Sequence, residues 1–342
     1  MHLSDALDRL PRVPLLDGPT PIQRLHRLED ALGSALNGVR IFVKRDDVMS
    51  LGGGGNKLRK LEFLLGDALA KGADTIIAVG GIQSNFARLA AAAAAKQGLS
   101  CELVLAPLVP RDGPEYEKNG NVLLDDLLGA RLHMLPPGVD PAGFAQERAD
   151  ALRSAGRTAY VATLGGSTPV GCVGYAACAL EVQEQAKALG VTFASIVVPN
   201  GSSGTHAGLA AGLVALGQDP GVVRAHTVLA VADAARNATV EKGNAALELL
   251  GFGTRLRASD IDVSGDQRGD GYGATTTAMM DAVRLLASRE GVLLDPVYSG
   301  KAFAGLLADI RAGRYAPGDQ VLFIMTGGAP GLFAYASSFL NG

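Results

Sequence analysis

Short apolar runs in this chain end again and again in a glycine-bearing turn that leads straight into a helix-like pattern. Ile76-Ile77-Ala78-Val79 runs into Gly80-Gly81, and residues 194–198 run into Pro199-Asn200-Gly201-Ser202-Ser203-Gly204-Thr205. Val321-Leu322-Phe323-Ile324 is followed closely by Thr326-Gly327-Gly328-Ala329-Pro330. Repeated strand–turn–helix units with no long hydrophilic linker restrict the chain to an α/β protein with largely parallel sheets. The pattern predicts strands at 39–44, 74–79, 101–105, 131–135, 160–162, 194–198, 226–231 and 321–324. Helices are expected at 56–71, 84–97, 117–128, 141–154, 170–189, 206–216, 234–250, 275–289, 301–313 and 331–340. Residues 255–271 read as irregular, polar and glycine-rich. The β/α run over about 52–162 is long enough to be a compact subdomain.

Composition narrows the function classes. The 342 residues, 48% apolar and 19% charged, suit a packed chain of about two domains. A net charge of −3 and the lack of a basic run argue against nucleic-acid binding. The longest apolar runs are far too short to span a membrane. Met1-His2-Leu3-Ser4-Asp5 has neither a charged nor an apolar leader region, so a cytoplasmic protein is expected. Cys101, Cys172 and Cys178 are an odd count without metal spacing; they read as reduced thiols, and no metal site is expected.

Four glycines, Gly52 to Gly55, precede Asn56 and Lys57, and a helix pattern begins there. A lysine at a helix start sits at the positive end of the dipole, which disfavours its charged form. A neutral amine is the form that condenses with a carbonyl. Residues 201–205, between a buried strand and a helix, offer backbone N–H groups and the hydroxyls of Ser202, Ser203 and Thr205 to a phosphate, or they form a plain tight turn. The spacing matches neither a P-loop nor a dinucleotide fingerprint. Ser84 or Asn85 caps the next helix, and the same N–H groups could hold a carboxylate. Pro296 and Gly300 frame a turn around Tyr298; Tyr272 lies in the irregular stretch; Thr326 offers a neutral hydroxyl beside glycines that admit a flat ligand.

A reactive lysine, a phosphate cradle, a carboxylate-binding helix start and a hydroxyl near a flat ring are together the parts of a pyridoxal phosphate site. Lys44-Arg45-Asp46-Asp47, Gly54-Gly55-Asn56-Lys57-Leu58-Arg59-Lys60, Gly80-Gly81-Ile82-Gln83-Ser84-Asn85, Asp295-Pro296-Val297-Tyr298 and Thr326-Gly327-Gly328-Ala329-Pro330 occur in that order. The chain resembles the fold-type-II pyridoxal phosphate enzymes, in the branch of D-cysteine desulfhydrase and 1-aminocyclopropane-1-carboxylate deaminase, from Gly18 to the last helix. The resemblance implies a tryptophan-synthase-β-like fold of two open parallel-sheet domains with a cofactor cleft between them. A small domain, 52–162, would be inserted in a large one, 1–51 plus 163–342. Lys57 would carry the cofactor as a Schiff base next to Asn56, with Gly201, Ser202, Ser203, Gly204 and Thr205 at the phosphate. Asn85 would face the ring hydroxyl, Ser84 the substrate carboxylate, and Tyr272 and Tyr298 the reacting carbons. A homodimer acting on a small amino acid is implied as well.

The residue after Tyr298 bears on the reaction. The cyclopropane deaminases carry glutamate there, beside the pyridine nitrogen; the desulfhydrase-like members carry a small hydroxyl residue, with a threonine equivalent to Thr326 nearby. Ser299 in this chain favours α,β-elimination from a β-substituted amino acid such as D-cysteine, giving pyruvate, ammonia and sulfide, over ring opening. Phe86 stands where relatives carry a polar residue, so the site is more apolar or Phe86 faces the core. L-cysteate sulfo-lyase activity, cyclopropane deamination and β-replacement stay open here, as does a phosphorylated-ligand binder without chemistry. His206 reads as a helix-start packing residue.

Overall fold

The computed structural model describes residues 2–340. Ten strands form two sheets. They are β1 (Ile22–Arg24), β2 (Arg40–Arg45), β3 (Thr75–Gly81), β4 (Ser100–Ala106), β5 (Arg131–Met134), β6 (Ala159–Ala162), β7 (Phe193–Asn200), β8 (Val223–Thr227), β9 (Asp262–Ser264) and β10 (Gln320–Met325). The larger sheet has the order β1-β2-β10-β7-β8-β9 and the smaller one β5-β4-β3-β6. Every pairing is parallel except β1 with β2.

Each sheet is covered on both faces, which is why its central strands read as unbroken apolar runs. Phe303, Leu306 and Leu286 pack with Val197, Val321 and Phe323 on one face of the large sheet; Leu209, Ala210, Cys178 and Leu247 pack with Val198, Leu322 and Ile324 on the other. In the small sheet, Leu61, Leu65, Leu89 and Ala90 cover Ala78, Leu103 and Leu105, while Ala145 and Ala149 cover Ile77 and Val104.

Three helices align the functional loops. Pro169–Leu189 lies between Lys57–Ala70 and Gly204–Ala215, and the contacts are made backbone to backbone. A Cβ on Gly174 would sit 2.1 Å from the Arg59 carbonyl oxygen, and one on Gly208 would sit 2.2 Å from that of Cys172. Glycine at these positions lets the helix starts carrying Lys57 and residues 201–205 come together. The Gly and Ala richness thus serves helix–helix contact. No helix among the described residues is long and apolar enough to cross a membrane.

Several boundaries depart from the sequence pattern. The strand expected at 226–231 lies earlier, at β8, which shares only His226 and Thr227 with that range; the Thr227 hydroxyl donates to the Ala230 carbonyl at 2.8 Å where the chain leaves the sheet. The helix expected at 117–128 is two, Pro114–Glu117 and Asn121–Leu127, broken where Gly120 takes φ +60° and the Asn119 side chain accepts from its N–H. The last helix is likewise split, into Pro330–Phe333 and Ala336–Leu340. The irregular stretch contains a 3-10 turn and the edge strand β9. The antiparallel edge strand β1 has only three residues, too few to give a period.

Candidate active site

The carboxyl ends of β3, β7 and β10 face one cavity of about 270 Å³, the place where open α/β sheets bind ligands. Its wall includes Asn56, Lys57, Ser84, Asn85 and Phe86, all of residues 201–205, and Tyr272, Tyr298 and Thr326. Of the residues expected at the site, Ser299 alone is not on that wall. Its hydroxyl donates to Asp295 Oδ1 at 2.7 Å and accepts from the Asp295 N–H at 2.8 Å, so its one proton is given to the turn that carries Tyr298. Of Ser299 and Thr326, Thr326 is the one that lines the cavity.

Lys57 opens the helix Lys57–Ala70 and makes no hydrogen bond among the described residues. Desolvation, then the positive charge of Lys60, holds its amine well below the usual lysine range, against a smaller opposing pull from Asp295. The loop before it interlocks with the turn after β10. The Asn56 N–H donates to the Thr326 carbonyl at 3.0 Å, and a Cβ on Gly327 would lie 2.8 Å from Gly55 Cα. Asn56 Nδ2 reaches Thr205 Oγ1 at 3.1 Å and so links this loop to residues 201–205.

Residues 201–205 form an anion cradle. Ser203 takes a left-handed φ of +67°, a conformation that turns successive N–H groups to one side, and the helix Gly204–Ala215 begins there. The first N–H groups of a helix have no intrahelical acceptor. Ser203 Oγ points away, to Asn200 Oδ1 at 3.1 Å, so this residue offers backbone only. Behind the cradle lies a cation the sequence reading missed. Fully buried Lys60 donates to Ser167 Oγ at 2.9 Å, and Ser167 shares a 2.7 Å hydrogen bond with Ser202 Oγ. Lys60 has no carboxylate partner among the described residues, and burial pushes its pKa down to about 8. A Cβ on Gly204 would come within 2.6 Å of its Nζ. The helix spacing Lys57, Lys60 was the only available sign of it in the sequence.

Ser84 caps the helix Asn85–Lys96, its Oγ accepting from the Ala87 N–H at 3.1 Å. The hydroxyl proton stays available, so capping and ligand binding coexist. Phe86 does both things expected of it: it is buried among Leu64, Leu89 and Ala90 and lines the cavity too. His206 is buried, pushed down to about 4 by desolvation, and absent from the cavity wall, as a packing residue should be.

Tyr272 and Tyr298 share a hydroxyl–hydroxyl hydrogen bond, with ring centroids 5.9 Å apart. Burial pushes both phenols up, so they are protonated donors at rest. Asp295, buried beneath them, accepts from the N–H groups of Val297, Tyr298 and Ser299 at 2.7–2.9 Å and fixes the Tyr298 turn. The Tyr272 loop is gripped on both sides: Lys301 Nζ donates to the carbonyls of Arg268 (2.6 Å) and Gly271 (3.1 Å), and Tyr335 donates to that of Gly273 at 3.1 Å.

This donor set fits pyridoxal phosphate. The cradle and Lys60 suit its phosphate, and the neutral-leaning amine of Lys57 suits its aldehyde. Comparisons with known proteins agree. Residues 13–327 match the family model described as pyridoxal-phosphate dependent enzyme. The chain is 44% identical over 329 residues to D-cysteine desulfhydrase from Salmonella schwarzengrund, covering 96% of this chain and 97% of that protein. It superposes on a crystal structure of an ACC deaminase homologue with a TM-score of 0.87 at 37% identity, covering 100% of this chain and 99% of the other. The fold is also that of O-ureido-L-serine synthase, with a TM-score of 0.64 at 22% identity over 98% of this chain and 94% of that one. The chain belongs to the pyridoxal-phosphate-dependent enzymes of fold type II, and pyridoxal phosphate is its cofactor.

Proposed function

We propose that this enzyme is a lyase that eliminates the β-substituent of a small amino acid, D-cysteine or a close analogue. With cysteine and water the products are pyruvate, ammonia and hydrogen sulfide. The observation that carries the reading is the unpartnered amine of Lys57 in the same cavity as the cradle at 201–205 and the helix start at Ser84. The D-cysteine desulfhydrase relative, matched over nearly the whole chain, supports the choice of substrate.

Lys57 holds the cofactor aldehyde. The backbone of residues 201–205, with the hydroxyls of Ser202 and Thr205, holds the phosphate, and Lys60 supplies charge behind it. Asn85 would take the ring oxygen and Thr326 the ring nitrogen, where a neutral hydroxyl would not enforce protonation. When bound, pyridoxal phosphate supplies an electron sink for the carbanion left by α-proton removal. The substrate carboxylate is held by Ser84 Oγ and the first N–H groups of its helix. With cofactor and substrate bound, the Lys57 amine, held toward its neutral form by burial and then by the nearby Lys60 charge, would take the α-proton. Tyr298, a protonated donor backed by Tyr272, hands a proton to the departing sulfur.

The cavity wall favours an uncharged β-substituent. Phe86, Leu108, Leu164 and Leu229 line it, and Lys57 is its one cationic side chain among the described residues. A sulfonate would find no second cation, which disfavours L-cysteate. We also take residues 52–162 as a small domain inserted in the large one; the four strands of the smaller sheet all fall inside that range. A cytoplasmic homodimer follows from the family resemblance, and sedimentation tests the dimer.

A pyruvate-release panel of D-cysteine, L-cysteine, L-cysteate, β-chloro-D-alanine, D-serine and aminocyclopropane carboxylate tests the reading. D-cysteine or β-chloro-D-alanine should lead, with L-cysteate and the cyclopropane at background. Turnover of the cyclopropane above the others would replace elimination by deamination. Lys57→Ala should lose both the visible cofactor band and pyruvate release; full activity in that variant refutes the site.

A further inference from the structure

Resting on the site reading above, we infer that Arg88, which is absent from the cavity wall, is a positioning residue that sets the protonation of the bound cofactor by orienting Asn85. Arg88 is fully buried on the helix Asn85–Lys96. Its guanidinium donates to the Gly54 carbonyl at 2.6 Å, to Asn121 Oδ1 at 2.7 Å and to Asn85 Oδ1 at 3.3 Å. Arginine has no acceptor, so it forces the oxygen of each amide toward itself. Asn121 must then turn its Nδ2 away from Arg88, and this nitrogen donates to Asn85 Oδ1 at 3.0 Å and to the Gln83 carbonyl at 3.2 Å.

Asn85 Oδ1 is therefore doubly occupied, and its amide N–H groups are left for the cavity side. Asn85 Nδ2 makes no hydrogen bond among the described residues, and it lies where a Cβ on Gly328 would come within 2.7 Å. The same guanidinium holds the Gly54 carbonyl, three residues before Lys57. One side chain thus ties the lysine loop to the amide across the cavity from it.

The consequence is electrostatic. An amide N–H donated to the cofactor's ring oxygen would stabilise negative charge on that oxygen and so would favour loss of the bound group's proton. With the donor in place that proton is held less tightly, so the pH midpoint of the visible band is low. The titratable groups that bear on Arg88 are Asp125, from the helix Asn121–Leu127, and Asp295. Lys60 and Asp295 bear on Lys57. Asp125 is buried, with neither carboxylate oxygen hydrogen-bonded, and desolvation pushes it up to about 8. Its proton is held toward neutral pH, so Asp125 cancels little of the Arg88 charge.

The test is a pH titration of the visible absorbance of pyridoxal-phosphate-loaded wild type, Arg88→Gln, Asn85→Ala and the double variant. Arg88→Gln should raise the midpoint by about one pH unit, a tenfold change in the proton equilibrium. Asn85→Ala should raise it too. In the double variant, Arg88→Gln should add less than it does alone. A wild-type midpoint in Arg88→Gln overturns the inference, and so does full additivity, which would make Arg88 a remote charge. If Arg88→Gln does not fold or load, Asn121→Ala carries the test. It removes one donor to Asn85 Oδ1 and should shift the midpoint upward by a smaller amount; no shift overturns the inference. A wild type with no visible band on adding cofactor would overturn the site reading and this inference together, whereas a normal band with unmoved variants overturns this inference alone.

Discussion

The helix Lys57–Ala70 presents two buried faces with opposite electrostatics. On the face toward Pro169–Leu189, Arg59 donates to Asp46 Oδ1 and Oδ2 at 2.8 and 2.9 Å and to Glu181 Oε2 at 2.8 Å. Lys44 pairs with Glu181, and Tyr175 donates to Asp46 at 2.6 Å. Two cations meet two carboxylates, and each polar atom has a partner. On the cavity side, Lys57 and Lys60 meet no carboxylate in hydrogen-bond contact, and both amines are pushed down. A buried charge is tolerated when paired and is costly when alone. The balanced face therefore holds the helix in place, and the unbalanced face waits for an anion from outside the chain.

The contrast can be broken from either side. The largest effect on stability should come from Arg59→Met, which strips Asp46 and Glu181 of their shared cation. A lone buried charge left by removing its partner costs about 3–5 kcal/mol, and thermal unfolding of the apo protein should report that loss. Near-wild-type stability would mean that the cluster is not the anchor of this helix.

Lys60→Met should do the reverse. Apo stability should hold or rise, because an unpaired cation is replaced by an apolar chain. Cofactor affinity should fall about tenfold to a hundredfold, the worth of a charged hydrogen-bond partner at about 1.5–3 kcal/mol. A titration of fluorescence or absorbance against added pyridoxal phosphate measures it; unchanged affinity would remove Lys60 from the cradle.

Lys301→Met releases one grip on the Tyr272 loop without touching the cavity wall. The expected result is a fall in kcat of about tenfold, equivalent to ~1.4 kcal/mol, with cofactor affinity preserved. A fall in affinity without a change in kcat would point to the cradle instead.

A pH dependence is expected from Asp125. Its carboxyl keeps a proton in the folded chain up to about pH 8, while the unfolded chain loses it near the ordinary aspartate value. Between those limits the folded state binds more protons, so stability falls as pH rises through this window. Asp125→Asn should flatten that decline in denaturant titrations at pH 5, 7 and 8. A decline identical to wild type would show that Asp125 titrates normally.

Local sequence was enough for much of this. Strand–glycine–helix units are written in neighbouring residues, so β3, β7 and β10 and the turns that end them could be read directly. Ser84 as a cap and Lys57 at a helix start were legible for the same reason. The commitment of the Ser299 proton to Asp295 was not legible, because that partner is chosen by the fold of the turn. Lys60 and Arg88 were passed over because a lysine or arginine on a helix is most often a solvated charge. Their partners Ser167 and Asn121 lie 107 and 33 residues away.

The sequence alone determined the α/β class, the order of the loops and the residue types that could bind a phosphate, an aldehyde and a carboxylate. Those properties follow from short-range periodicity and from side-chain chemistry. Tertiary structure decided which charges are paired. Glycine contacts draw three helices together, place the Lys57 and 201–205 loops at one cavity, and bury Arg59 among carboxylates but Lys60 without one. Charge compensation depends on distances across the fold, and those distances are set by packing.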